Sequence, residues 1–325
     1  SIRGNPHLLM VGLPGMGKTT ALVNITRQMA RNGVVPIICS YHEDSDEAAE
    51  RLWADRIKFI DFNAIGFNPL TVSGNNPFGY MDNAGTLRDI FSAIFPDLGD
   101  IQLASIRDAI RDVYQDYGWS NSVVGDIPPF RAFWELLREN PKADPKVLTR
   151  LRELDDYGIF EGGEQALSLL DSAAPLVIRL HMTQNETVQR AFGMFILYRL
   201  YQDMFGRGVQ NDITHAIVFD EAHRASKLKL LGRMAKECRK YGLSMLLASQ
   251  EIKDFDESLV QAIGTYLILR VGEADSKVMA RYMGSSDQVK ATGDALKVLP
   301  KFESYFFTEG YGAPRRIKLA NPLEA

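Results

Sequence analysis

The chain alternates short apolar runs with segments whose apolar residues recur at helical spacing. Apolar runs with strand character lie at residues 7–12, 34–40, 57–63, 175–181, 215–220, 243–249 and 265–271. Helical patterns follow most of these runs. Because strands that alternate with helices form a parallel sheet covered on both faces, the pattern predicts an α/β fold with a mostly parallel central sheet.

One stretch of the chain departs from this alternation. Between about 85 and 170 the pattern is helical throughout, and Pro and Gly residues interrupt it. We interpret this stretch as a helical insertion within a single domain that spans 1–325. At the other end, residues 304–320 have the pattern of a closing hairpin.

The first strand leads into a glycine-rich loop that fits G-x-x-x-x-G-K-[ST] at every fixed position. A helical pattern follows at 18–33, so backbone N–H groups and the positive end of a helix dipole surround one point. We expect Lys18 to neutralise the β- and γ-phosphates of ATP, and the hydroxyl of Thr19 to bind Mg²⁺. The predicted nucleotide-contacting residues are Gly12, Pro14, Gly15, Met16, Gly17, Lys18, Thr19 and Thr20.

Two acids end the apolar run at 215–220 and resemble a Walker B motif. We expect Asp220 to hold Mg²⁺, directly or through water, and Glu221 to polarise the water that attacks the γ-phosphate. The alternative is a strand that ends in solvated acids. Gln250 follows the run at 243–249, where an amide can contact the γ-phosphate; the alternative is a surface glutamine.

Composition narrows the possible partners. The chain has 325 residues, is 46% hydrophobic and 24% charged, and has a net charge of −4. Any nucleic-acid contact must therefore be local, and Lys227 and Lys229 are candidates, although a solvated helix face explains them as well. No apolar run has the roughly 18 residues that a membrane helix needs, and no signal peptide is visible, so we expect a cytoplasmic protein without membrane contact.

The combined motifs resemble those of the HerA/FtsK superfamily of P-loop DNA translocases, with most similarity to HerA and the related conjugative ATPases. The most similar segment is 215–271, where the Walker B acids, a helix ending in Arg-Lys-x-Gly-Leu and a Ser-Gln strand end come in family order. The resemblance implies a RecA-like core that assembles as a ring, which we expect to be a hexamer. It also implies that ATP binds between neighbouring subunits and that the ring moves duplex DNA. It also implies catalytic roles for Lys18, Glu221 and Gln250.

Arg239 matches the family arginine that reaches a neighbour's γ-phosphate. From the residues alone, it is equally well explained as a cation that a helix C-terminus favours. HerA proteins have an N-terminal β-barrel that helps close the ring and dock a nuclease. Here six residues precede the first strand, and we expect the chain to be part of a longer protein.

Two similar motif sets fit the chain less well. The interval from Lys18 to Asp220, 220 − 18 = 202 residues, is much longer than in AAA+ unfoldases. The residues Asp-Glu-Ala-His at 220–223 match DEAH-box helicases, but the next motif is Ala-Ser-Gln and no second RecA-like half is found. Two interpretations remain: a ring motor that moves DNA in processing, restriction or defence, with a nuclease as partner, or a regulatory or coupling ATPase of a conjugation or secretion system.

Overall fold

The computed structural model describes residues 4–53, 56–64, 66–72, 74–161, 168–224, 229–283, 289–310 and 313–321. The chain forms two compact units. The first comprises Ser1–Ile60, Ser172–His181 and Val209–Ala325, and the second comprises Asp61–Asp171 and Met182–Gly208. Among the described residues, no helix is both long enough and apolar enough to span a bilayer.

A nine-stranded sheet forms the centre of the first unit. Its strands are β1 (Leu8–Val11), β2 (Val35–Ser40), β3 (Lys58–Asp61), β4 (Leu176–Arg179), β5 (His215–Asp220), β6 (Leu243–Ser249), β7 (Thr265–Ile268), β8 (Glu303–Thr308) and β9 (Arg315–Lys318). The order across the sheet is β3-β4-β2-β5-β6-β1-β7-β8-β9. The pairings from β4 through β7 are parallel, and β8 and β9 add an antiparallel hairpin. The predicted α/β fold with a mostly parallel sheet is confirmed.

The central strands explain why the sequence shows continuous apolar runs there. Every residue of β5 and β6 is buried, because parallel strands are covered by helices on both faces. Helices of this unit are α1 (Lys18–Arg31), α2 (Glu43–Trp53), α8 (Lys229–Glu237), α9 (Glu257–Gln261), α10 (Glu273–Met283) and α11 (Val289–Leu296). Since β1, β5 and β6 are parallel neighbours, their carboxyl ends meet at one edge, where ligands bind in such sheets.

The second unit is helical. It contains α3 (Gly79–Ile94), α4 (Asp100–Asp116), α5 (Phe130–Glu139), α6 (Pro145–Asp155) and α7 (Glu186–Arg207). Aromatic rings fill its core, and the Trp134 ring stacks on Phe160 with centroids 5.7 Å apart. The predicted insertion at about 85–170 lies within this unit, which also includes α7 and the segment 61–84.

Candidate nucleotide-binding site

The loop between β1 and α1 depends on its glycines. Gly15 and Gly17 have φ angles of 75° and 96°, a left-handed region that side chains disfavour. Gly12 has a different role, because a β-carbon there would lie 2.8 Å from the β-carbon of Leu269. Glycine therefore permits both the turn of the loop and its close approach to the end of β7.

Backbone hydrogen bonds fix the loop to its two neighbouring strands. The N–H of Gly12 donates to the carbonyl of Ser249 at 3.2 Å, at the end of β6. The N–H of Leu13 donates to the carbonyl of Arg270 at 2.8 Å, just beyond β7. The loop is thus positioned by the carboxyl edge of the sheet on both sides of β1.

Lys18 lies inside this loop, with only 8% of its surface exposed. Its ammonium donates to the carbonyls of Gly12 at 2.7 Å and Leu13 at 3.2 Å. Burial lowers the pKa of Lys18, while the negative charges of Asp220 and Glu221 oppose that shift. The two loop carbonyls bind the ammonium, and the charges of the two acids favour its protonated form.

The remaining loop residues differ in accessibility. Pro14 and Gly15 are exposed, Met16 is 2% exposed and packs in the core, and Thr20 is half-buried in the first turn of α1. Because the side chain of Met16 is buried, the backbone of the loop is the surface that a phosphate would meet.

Thr19 and Asp220 contact each other directly. The hydroxyl of Thr19 donates to Oδ2 of Asp220 at 2.6 Å, and the hydroxyl of Ser45 donates to the same oxygen at 3.3 Å. Burial raises the pKa of Asp220, and the hydrogen bond from Thr19 partly offsets this. Hydroxyl and carboxylate oxygens are hard donors of the kind Mg²⁺ prefers, so this cluster fits that ion.

Ser45 was not predicted from the sequence. Glu43 and Asp44, the acids in the same segment, are both exposed in the first turn of α2. Ser45 is 1% exposed and faces the Walker B carboxylate. The helical spacing of α2 supplies the only sequence signal for this residue, because it places Ser45 on the same face as the buried Ala48 and Ala49.

Glu221 has a strained backbone. Its φ angle is 83°, unusual for a residue with a side chain, and its N–H donates to the carbonyl of Ala248 at 3.1 Å. Its carboxylate lies 3.1 Å from Nδ1 of His223 and 3.8 Å from Nε2 of His42. The sequence does not indicate that these two histidines lie near the carboxylate of Glu221.

Gln250 and Arg239 lie at opposite ends of β6. Gln250 directly follows the strand and is half-buried at the carboxyl edge, beside the loop and Asp220. Arg239 lies in the 3₁₀ helix Cys238–Tyr241 that precedes β6, and its guanidinium donates to the carbonyl of Gly4 at 3.4 Å. A strand of this length spans about 20 Å, so Arg239 is remote from the P-loop of its own chain.

The structure describes one of the two lysines that were predicted to face DNA. Lys229 is exposed at the start of α8. Lys227 falls outside the described residues. The role of both as DNA contacts stays a prediction.

The chain has limited sequence similarity to known proteins. No family model matches the chain. A replication factor C small subunit from Methanosarcina mazei is 25% identical over 172 residues, which cover 50% of this chain. The match spans 45% of that relative, so the chain covers less than half of its length.

Solved structures match over nearly the whole chain. VirB4 of Thermoanaerobacter pseudethanolicus aligns with a TM-score of 0.76 at 23% identity, covering 100% of this chain and 92% of that one. The bacterial conjugative coupling protein TrwB, in its unbound form, aligns with a TM-score of 0.71 at 15% identity, covering 98% of this chain and 86% of that one. The chain therefore has the fold of VirB4 and TrwB over 98–100% of its length, which agrees with the fold that the sequence resemblance implies.

Proposed function

We propose that the chain is the ATP-hydrolysing motor domain of a ring-forming protein of the HerA/FtsK type. The observation that carries the proposal is the contact between Thr19 of the P-loop and Asp220 of the Walker B strand at 2.6 Å. Lys18 and Glu221 lie beside this contact. TrwB, which has the same fold, has been solved with ADP and Mg²⁺ and with an ATP analogue.

Each residue has a defined role in this proposal. The oxygens of Thr19 and Asp220 hold Mg²⁺, which when bound neutralises charge on the phosphates. When ATP binds, the ammonium of Lys18 gives up its hydrogen bonds to the loop carbonyls and donates to phosphate oxygens instead. Glu221 accepts a proton from the attacking water, and Gln250 contacts the γ-phosphate from the end of β6.

Assembly supplies a further group. Arg239 is far from its own P-loop, at the opposite edge of β6, so its guanidinium is available to a neighbouring subunit. A neighbour's arginine at the γ-phosphate stabilises the charge that develops in the transition state. On this proposal the ring, a hexamer in the full-length protein, drives duplex DNA through its channel and works with a nuclease.

Phosphate release from ATP, with and without Mg²⁺, tests the ATPase proposal. Lys18→Ala is expected to abolish release, because the buried ammonium that contacts phosphate is lost. The matched control is Lys277→Ala, which removes an exposed lysine that pairs with Glu273 across one turn of α10. Equal rates for wild type and Lys18→Ala would reject the proposal.

A second function is favoured by the likeness to VirB4 and TrwB over 98–100% of the chain. On that alternative, the domain is a coupling or regulatory ATPase of a conjugation or secretion system and does not itself move DNA. Displacement of a triplex-forming strand from duplex DNA distinguishes the two. ATP-dependent displacement that is lost in Lys18→Ala supports the DNA motor, whereas ATP hydrolysis without displacement supports the coupling ATPase.

A further inference from the structure

Phe302 lies directly against the phosphate-binding loop. Its backbone N–H donates to the carbonyl of Met16 at 3.2 Å. Its ring covers Gly17, where a β-carbon would lie 2.5 Å from Cδ1 of the phenylalanine. Phe302 therefore packs against the loop, although it follows Gly17 by almost three hundred positions in the sequence.

The backbone of Phe302 is strained. Its φ angle is 61°, within a turn closed by a 3.2 Å hydrogen bond from the N–H of Glu303 to the carbonyl of Pro300. Turns of this kind normally place glycine at this position, since a bulky side chain there is an outlier. Because an aromatic residue is unfavourable in this backbone conformation, its presence here indicates that the ring has a functional role.

The sheet places Phe302 on the side of the loop away from the catalytic acids. β1 lies between β6 and β7, and the acids follow β5 on the β6 side. Ile268 at the end of β7 pairs with Tyr305 of β8, so the start of β8 is at the same carboxyl edge. A nucleotide bound with its γ-phosphate near Glu221 would place its ribose and base on the other side of the loop, where Phe302 lies.

The chemistry of this position suits a base. The Phe302 ring is half-exposed, and the ammonium of Lys301 lies 5.1 Å from its centroid. An aromatic face binds any base by stacking, and a neighbouring cation favours the adjoining phosphate or ribose oxygens. We propose that Phe302 is the stacking platform for the adenine base of ATP; the inference rests on the proposed ATP site.

Binding measurements with two ligands separate this role from simple support of the loop. Calorimetric titration uses Mg²⁺·ATP and Mg²⁺·tripolyphosphate, which keeps the phosphates and lacks the base. Phe302→Ala is expected to weaken ATP binding about tenfold, as loss of one base–aromatic stack does, and to leave tripolyphosphate affinity unchanged. Phe302→Tyr retains the ring and is expected to bind both ligands as wild type does.

Two further variants complete the test. Phe302→Gly relieves the backbone strain and removes the ring, so it is expected to show the same selective loss as Phe302→Ala. Phe307→Ala removes a ring that contacts Tyr266, with centroids 6.2 Å apart, and is expected to change neither affinity. If Phe302→Ala bound both ligands equally more weakly than wild type, or bound ATP as wild type does, the inference would be overturned. Wild-type protein that binds neither ligand would instead reject the proposed ATP site itself, and the inference with it.

Discussion

The hydroxyl of Thr19 donates to the carboxylate of Asp220 at 2.6 Å, although 201 positions separate the two residues. This contact joins the first turn of α1 to the end of β5. It brings together two oxygen ligands of the kind Mg²⁺ prefers, one from each motif.

Thr19→Ala is therefore expected to raise the Mg²⁺ concentration for half-maximal ATP hydrolysis by about tenfold or more, because one metal ligand is lost. Thr19→Ser keeps the hydroxyl and is the matched control, expected to stay close to wild type. A Mg²⁺ titration of steady-state phosphate release measures both. If the alanine variant has the Mg²⁺ dependence of wild type, Thr19 is not a ligand.

His223 is expected to position Glu221 for catalysis. Its Nδ1 lies 3.1 Å from the carboxylate, and a misplaced base lowers the rate of the chemical step. His223→Ala should lower kcat about tenfold with little change in KM for ATP, and His223→Asn, which keeps a polar side chain beside the carboxylate, should recover part of the loss.

His42 provides the comparison for this prediction. It is 3.8 Å from Glu221, and its side chain is 53% exposed, so His42→Ala should have a smaller effect on kcat than His223→Ala. Steady-state kinetics of the three variants measure the difference. An unchanged kcat in His223→Ala would show that Glu221 is positioned by its backbone alone.

His7 is expected to make stability depend on pH. Burial lowers the pKa of His7 to about 4, with the charge of Arg239 adding to the shift. Between pH 6.5 and 4 the unfolded chain binds a proton that the folded chain does not, so stability falls as pH falls through this window. The full loss is about 3 kcal/mol, of which about 2 kcal/mol occurs between pH 7.5 and 5.

His7→Asn isolates this contribution. The N–H of Met245 donates to Nδ1 of His7 at 3.1 Å, and an asparagine oxygen can accept the same bond without titrating. Urea unfolding at pH 7.5 and pH 5 should show a smaller loss of stability for the variant than for wild type. Identical losses in the two proteins would assign the pH dependence to other groups.

Arg239 is expected to act on a neighbouring subunit. At protein concentrations that permit assembly, Arg239→Ala should bind ATP normally and hydrolyse it about a thousandfold more slowly. Lys240→Ala, which removes the adjacent cation over the Tyr241 ring, is the control. Mixing Arg239→Ala with Lys18→Ala should restore some turnover, since one supplies a working pocket and the other an intact arginine. A monomer that hydrolyses ATP at full rate, unaffected by Arg239→Ala, would rule out this role.

The sequence predicts the parts of this site that depend on local pattern. The predicted strand at 215–220 coincides with β5, and the predicted helix at 18–33 corresponds to α1, which ends at Arg31 two residues before Gly33. Both succeed because fully buried strands and glycine-bounded helices have strong local signals. The phosphate loop is predictable for the same reason, since its glycines and its lysine have fixed spacing.

The remaining contacts depend on how distant segments meet. Ser45 reaches Asp220 across 175 positions, and no local pattern distinguishes it from other small residues of α2. Phe302 occupies a left-handed turn position in a Pro-Lys-Phe-Glu segment that has no glycine to mark it. Phe302 breaks a local rule that the surrounding fold compensates, whereas Ser45 has no local signal at all, so the sequence indicates the role of neither.

Glu221→Gln tests the central claim most directly. The amide is nearly the same size as the carboxylate but cannot accept a proton from the attacking water. The variant is expected to bind Mg²⁺·ATP with about wild-type affinity and to lose at least about a hundredfold in kcat, measured by calorimetry and phosphate release on the same preparation. Wild-type turnover in Glu221→Gln would contradict the account, because hydrolysis would then use a base other than the one at the end of β5.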